Sequence, residues 1–591
     1  MHISNPKHTI NQRLHKLYPP EIAQRAVNDI IDLIFKYKQR IKSTDYHLSQ
    51  KDIILITYGD QVSKLNEPSL ETLNNFMNDH LKGVINSVHI LPFYPYSSDD
   101  GFSVVNYNAV DPHMGSWREI EAISKEYRLM VDGVINHISQ FSDWFQAYLA
   151  GDPYFQDFFI DVDPILDLSD VVRPRATPVL SEFLDNNGKI RNVWTTFSKD
   201  QVDLNYKSHR VLRNVLDALF YYIEKGATLI RLDAIAFIWK EIGTQCVHLP
   251  QTHELIQLMR EVLHEVASEV IIITETNVPH HENVSYFGSG SDEAQMVYNF
   301  ALPPLLLNSI LHGNTEKLTT WGQSLTLPSN KVCFFNFTAS HDGIGLRPIK
   351  DILSDEEVKS IVDSVKENGG LVSYRAEADG TQTPYELNCS YIDALSSPSE
   401  SQVLRVKKML VTQATVLAMP GVPGIYFHSL VGSQNYHDGV KHSGVNRTIN
   451  REKYNVDWLE NELSKQGSLH KTMFDSYKRL ISIRTSEEAF NPFGEFKILN
   501  LDTRIFAIDQ VCSENTHRIL ALHNFSDKEV SIDLPKDILL PLCDLITSNC
   551  TNFSYEEERK NQSHTITLEP YQIMWLKGKV NTKNKGFKNE K

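Results

Sequence analysis

The chain has 591 residues, 41% of them hydrophobic and 22% charged, the composition of a globular protein large enough for two to four domains. Its 58 Lys and Arg against 74 Asp and Glu leave a formal net charge of −16, which argues against a nucleic-acid binder and requires any anionic substrate to meet local positive groups. The six cysteines (Cys246, Cys333, Cys389, Cys512, Cys543 and Cys550) form no CxxC pair, so neither a zinc framework nor a disulfide scaffold is expected. A reducing cytoplasm is the expected location.

The opening run MHISNPKHTINQRLHKLYP lacks the apolar core of a secretion signal, and no stretch of eighteen apolar residues follows. Neither export nor membrane insertion is expected. From Glu21 to Lys42, Ile22, Ala26, Ile30, Ile31, Ile34 and Phe35 recur at helical spacing and predict an amphipathic helix. Between about Lys51 and Phe427 a short apolar run, a polar Gly/Pro-rich loop and a longer helical segment alternate, the signature of βα units.

The apolar runs are IILITY (53–58), VINSVHILPF (84–93), LMVDGVINH (129–137), TLIRLDAI (228–235), VIIITET (270–276), MVYNF (296–300), KVCFFNF (331–337) and VPGIYF (422–427). Eight such runs predict an α/β fold of the (β/α)8 TIM-barrel kind. Before the fourth, Val211, Leu212, Val215, Leu216, Leu219, Phe220 and Ile223 form one apolar stripe, with Gly226 placed to stop the helix.

Spacing predicts a first barrel part with the N-terminal helix over 1–145, an inserted domain over 146–206, barrel again over 207–345, a second insertion over 346–405 and the barrel's end over 406–489. Long loops of a barrel tend to overhang its active face, so both insertions are candidate acceptor-site walls. From 490 to 578 strands follow without helices and predict an antiparallel C-terminal β-domain: EFKILNL, RIFAIDQV, RILALHNFS, EVSIDLP and TITLEPYQIMWL. Residues 579–591 close a Lys-rich, apolar-poor end that reads as a flexible tail.

Catalytic groups of such barrels stand at the C-terminal ends of strands. There the chain has Asp132, Asn136 and His137 in DGVINH, Arg231 and Asp233 in LIRLDAI, Glu275 in TETN, and His341 and Asp342 in SHDG. A single acid at such a position serves equally well as a helix cap, and Arg231 with Asp233 could be a structural ion pair. Arg231 and Asp233 are two residues apart on a strand and so share a face, where Arg231 is expected to keep Asp233 ionised. Glu275, close to that negative charge, is expected to titrate late, as a general acid must. A carboxylate that attacks beside a carboxyl that donates a proton is the apparatus of retaining glycosyl transfer.

ILPFYP, DGVINH, LIRLDAIAF, the strand-end Glu275 and ASHDGIG, taken together and in this order, resemble the strand motifs of the α-amylase clan. RPR, QVDLNY, KEIGT, HLPQT, FALPPLLL, HDGIG and the VNR run resemble its sucrose phosphorylase subgroup. The resemblance implies Asp233 as nucleophile, Glu275 as acid/base and Asp342 as transition-state stabiliser. It also implies Asp100 and Arg447 gripping the far side of a bound glucose, His137, Arg231 and His341 hydrogen-bonding the ring, and Phe102 lining it.

Members of this subgroup exchange an α-glucosyl bond with inorganic phosphate, so the implied partners are a small glucoside and phosphate. Arg173 and Arg175, held by Pro174, are the candidate anion site. ITETNVPHHENVSYFG and FNFTASHDGIGLRP are more similar to glucosylglycerate phosphorylases than to sucrose phosphorylases, which implies 2-O-α-glucosyl-D-glycerate as donor. Sucrose, sucrose 6′-phosphate and glucosylglycerol are the alternative donors. An α-glucosidase or transglucosidase that does not use phosphate is the alternative of another class. Neither an organic cofactor nor a metal site is implied, and no pattern points to an oligomeric state.

Overall fold

The computed structural model describes residues 6–42, 46–175, 177–376, 381–535, 541–551 and 564–580. Eight parallel strands close into a barrel: β1 (Ile54–Thr57), β2 (Ser87–Ile90), β3 (Arg128–Gly133), β4 (Ala227–Leu232), β5 (Ile271–Thr274), β6 (Met296–Tyr298), β7 (Cys333–Asn336) and β8 (Val422–Tyr426). Each pairs with its neighbours in sequence, and β8 closes on β1 through Ile54 opposite Gly424. Every barrel strand falls within or against one of the apolar runs, because strands covered on both faces carry continuous Val, Ile and Leu rather than alternation. At Gly424 a Cβ would stand 2.3 Å from Cζ of Phe335, so glycine there makes room for that ring.

Two helices precede the barrel, α1 (Pro6–Leu17) and α2 (Pro20–Lys38). The sequence reading has only the second, which ends four residues before Lys42. α1 is held through Arg13, whose guanidinium reaches Glu254 at 2.9 Å and Glu261 at 2.7 Å on a later helix. In α3 (His209–Glu224) the whole predicted stripe is buried. Gly226 follows with φ of 104°, a conformation that ends the helix without a Cβ penalty.

The first insertion contributes a helix (Asp143–Leu149) and a hairpin of Leu180–Leu184 against Ile190–Trp194. Gln201–Asp203 returns to pair with His137–Ser139, just beyond β3. In the second, Ile344–Gly345 pairs with the 382–388 strand, which itself pairs with 371–376. Residues 377–380 of this insertion lie outside the described residues.

The C-terminal region is a six-stranded antiparallel sheet with a two-stranded one beside it. TITLEPYQIMWL is two strands rather than one: Thr565–Leu568 pairs with Val530–Asp533, whereas Ile573–Lys579 lies in the large sheet. Pro570, which has no N–H to donate, and Tyr571, at φ of 54°, break the run. The last strand ends at Lys579, the first residue of the expected tail, and residues 581–591 lie outside the described ones. Cys543 and Cys550, paired across adjacent strands, form a disulfide that the sequence reading did not anticipate, while Cys246, Cys333, Cys389 and Cys512 are free and buried.

No described helix is long and apolar enough to cross a membrane.

Candidate active site

Strand register puts the acids together. Asp132 of β3 lies opposite Arg231 of β4, and Arg231 opposite Ile273 of β5. Beyond the strands the ladder continues, with Asp233 N donating to Gly133 O and Glu275 N to Leu232 O, each at 3.2 Å. Asp233 and Glu275, each two residues past a registered pair, therefore stand side by side on one face at the C-terminal rim.

Arg231 is the hub. Its Nη1 donates to Asp132 Oδ1 and, at 2.8 Å, to Asp233 Oδ1, while Nη2 lies 3.8 Å from Glu275 Oε2. The guanidinium sits 5.7 Å from the Phe102 ring and 5.5 Å from that of Tyr298. Asp132 also accepts from His89 at 2.7 Å, and although burial alone would raise its pKa, His89 and Arg231 bring it to about 2. Sequence reasoning passed over His89, yet a histidine inside a fully buried parallel strand requires a partner.

Burial pushes Glu275 up, Arg231 draws it back, and the charges of Asp233 and Asp342 push it further, to about 7. Ala234, at φ of 49°, directs its N–H to Glu275 Oε2 at 3.1 Å. Asp233 does not follow the sequence expectation fully. Burial raises its pKa above the ordinary value, and Arg231 and His137 offset only part of that cost. Because Arg231 bonds Asp233 but only approaches Glu275, the proton shared by this pair favours Glu275.

Asp342 is the counter-case. Burial alone would raise it, but Arg447 and then His341 hold it well below the usual carboxylate range. Arg447 Nη1 contacts Asp342 Oδ1, and the same guanidinium bonds Glu386 twice, Nε to Oε1 at 3.0 Å and Nη2 to Oε2 at 2.6 Å. The His341 ring lies flat against Phe102, centroids 4.6 Å apart and planes 4° from parallel, and burial lowers its pKa to about 3. It is uncharged at neutrality. His137 Nε2 lies 3.0 Å from Phe102 O.

These groups surround a cleft of about 830 Å³ walled by loops after several barrel strands and by both insertions. Of the predicted residues, Asp233, Glu275, Asp342, Phe102, His137, His341, Arg447 and Arg175 line it, and Arg231 lies directly beneath. Two are not brought in. Arg173 is exposed and does not line the cleft, leaving Pro174 and Arg175 at the wall. Asp100 turns to Arg451 and Lys453, at 3.8 and 3.7 Å, and its neighbour Asp99 lines the cleft instead.

Asp99 and Asp100 have φ of 53° and 52°, so the alternation by which adjacent side chains are sorted in extended chain does not apply. Sequence reasoning also passed over Asn277, Arg347, Tyr385 and Glu386 in the wall. Two of these, Asn277 and Arg347, stand in motifs quoted for their resemblance, and none of the four follows a hydrophobic period that would reveal its direction. Glu386, on the second insertion, is buried.

A carboxylate and a proton-bearing carboxyl abreast at the mouth of a (β/α)8 barrel, with a third acid held ionised beside them, define a carbohydrate-active barrel enzyme suited to double displacement at an acetal carbon. Comparison with known proteins agrees. The family described as "Alpha amylase, catalytic domain" matches residues 79–333. The chain is 42% identical over 583 residues to the glucosylglycerate phosphorylase of Spirochaeta thermophila, covering 97% of this chain and 98% of that one. It is 40% identical over 572 residues to that of Escherichia coli, covering 97% and 100%.

Among solved structures, sucrose 6F-phosphate phosphorylase from Thermoanaerobacter thermosaccharolyticum superposes with a TM-score of 0.71 at 25% identity, over 83% of this chain and 96% of that one. The chain belongs to the α-amylase clan, in its sucrose phosphorylase-like group together with the glucosylglycerate phosphorylases.

Proposed function

We propose that the chain is a retaining glucoside phosphorylase that transfers the α-glucosyl group of 2-O-α-glucosyl-D-glycerate to inorganic phosphate, giving α-D-glucose 1-phosphate and D-glycerate. The observation that carries the chemistry is the pair under one guanidinium, in which Arg231 bonds Asp233 while Glu275 is raised to about 7. The substrate reading is supported by relatives named glucosylglycerate phosphorylase at 40% and 42% identity over nearly their whole length.

In the first step the Asp233 carboxylate attacks the anomeric carbon as the bond to the glycerate oxygen breaks, and Glu275 gives that oxygen its proton. A β-glucosyl ester on Asp233 results, and D-glycerate leaves. Glu275, now ionised, takes the proton of a phosphate hydroxyl as that oxygen attacks from the vacated face, which releases Asp233. Two inversions leave the α configuration unchanged. Asp342, kept ionised by Arg447, stabilises the positive charge that builds on the ring. His341, which is uncharged, hydrogen-bonds the sugar against the Phe102 wall, as does His137.

Phosphate must outcompete water for the ester, and the aromatic rings of Phe102, Phe197, Phe237 and Phe300 around the cleft favour a drier site. Arg175 is the group assigned to phosphate, with Arg173 no longer part of that assignment. We place the enzyme in the cytoplasm, where its charged product is retained and phosphate is at hand.

Purified protein with phosphate and, in turn, glucosylglycerate, sucrose, sucrose 6′-phosphate or glucosylglycerol tests the reading by release of glucose 1-phosphate. Release from glucosylglycerate at the highest kcat/KM supports it. Release only from sucrose, or free glucose formed without phosphate consumption, overturns it.

A further inference from the structure

Two different anions must occupy the space beside the anomeric carbon in turn: a glycerate that leaves and a phosphate that enters. Three guanidinium groups line the cleft, those of Arg175, Arg347 and Arg447. Arg447 is committed on both edges, to Glu386 and to Asp342. Arg175 belongs to the first insertion and lies 3.8 Å from Asp99. Arg347 belongs to the loop after β7.

The leaving group is constrained in a way that phosphate is not. In the glucosylglycerate of the reading above, the bridging oxygen and the carboxylate share one carbon, so the carboxylate must lie close to the oxygen that Glu275 protonates. Asn277, two residues beyond Glu275, lines the cleft at the same strand end. Its amide packs onto the backbone of Gly345, where a Cβ would be only 2.5 Å from both Nδ2 and Oδ1. Arg347 follows two residues later and opens a short turn, Arg347–Ile349, fixed by Leu346 N donating to Tyr385 O at 3.1 Å. Asn277 Oδ1 is buried and accepts no hydrogen bond from the described residues.

We propose that Arg347 and Asn277 form the receptor for the leaving group, separate from Arg175, which serves phosphate. The planar guanidinium suits a carboxylate through two parallel N–H donors, and the Asn277 carbonyl accepts from the primary hydroxyl of glycerate. The site therefore selects a 2-hydroxy acid with a neighbouring hydroxyl over a neutral polyol of the same size. A buried acceptor left unpaired disfavours an analogue without that hydroxyl.

The test compares full-length wild type with Arg347→Gln, Arg347→Lys and Arg175→Gln, using phosphorolysis of glucosylglycerate and of α-D-glucosyl fluoride, a donor without a carboxylate. In Arg347→Gln the ratio of kcat/KM for glucosylglycerate to kcat/KM for the fluoride falls about 10- to 100-fold, the effect of losing a charge-assisted hydrogen bond. Arg347→Lys recovers part of it. Arg175→Gln instead raises the KM for phosphate with either donor. Turnover of the fluoride shows that each variant is folded.

An unchanged ratio in Arg347→Gln, with wild type active on glucosylglycerate, overturns the receptor alone. So does a KM for phosphate raised as much by Arg347→Gln as by Arg175→Gln. A wild type inactive on glucosylglycerate overturns both this proposal and the reading on which it rests.

Discussion

Arg447 meets Glu386 edge to edge, its Nε 3.0 Å from Oε1 and its Nη2 2.6 Å from Oε2. Glu386 is buried on the second insertion, so the pair fastens that insertion to the loop beyond β8. Replacing Arg447 with Ala leaves a buried carboxylate unpaired and is expected to cost about 3–5 kcal/mol in urea unfolding. Arg447→Ala/Glu386→Gln should recover much of that stability but not the turnover, because Asp342 still lacks its cation. A double variant no more stable than Arg447→Ala would show that the pair does not act as a unit.

Asp233→Ala removes the attacking group, and donor cleavage should fall by about 10⁴-fold or more while the circular dichroism spectrum is retained. Residual turnover within about tenfold of wild type would reassign the nucleophile.

Glu275 must carry its proton to release the glycerate. Because burial and the neighbouring Asp233 and Asp342 charges outweigh Arg231 and raise it to about 7, kcat/KM for glucosylglycerate should fall as the pH rises through about 7. Glu275→Gln should still be glucosylated by α-D-glucosyl fluoride, since fluoride leaves without a proton. A single-turnover measurement of fluoride release checks this, and no release above the Asp233→Ala level would count against the acid role.

The same shift has a consequence for stability. Glu275 has a model-compound value of 4.5, so the folded state binds the extra proton between about 4.5 and 7, and stability is lost as pH rises through that window. Glu275→Gln carries no such penalty. Its gain in Tm over wild type should therefore be larger at pH 8 than at pH 5, by an amount on the order of a few kcal/mol of unfolding free energy. An equal difference at both pH values would contradict the shift.

The barrel was legible because each of its strands is covered on both faces and so reads as an uninterrupted apolar run, from ILIT at 54–57 to VPGIY at 422–426. Asp233, Glu275 and Asp342 were legible because they stand one, one and six residues beyond the ends of β4, β5 and β7. The loops gave no comparable signal. Asp99 and Asp100 exchange the sides a reader would assign them because both have positive φ. Of Arg173 and Arg175 only the second lines the cleft, and nothing in RPR marks which.

Glu386 and Arg347 gain their meaning from a pairing between segments about forty residues apart, which no local pattern displays. α1 escaped notice although Ile10, Leu14 and Leu17 are buried at helical spacing, because too few apolar residues flank them to define a stripe.

The short ladder in which Ile344 faces Leu387 and Gly345 faces Glu386 bears on how such enzymes can diverge or be redesigned. It joins the segment that ends in Arg347 to the one that presents Tyr385, and the Arg447 clamp ties both to a third. Exchanging one segment alone between relatives of different acceptor preference would strand a charge or open the ladder. Segments 340–347 and 382–388 should therefore be transplanted together, as one inherited cassette, with a partner for Glu386 retained at position 447.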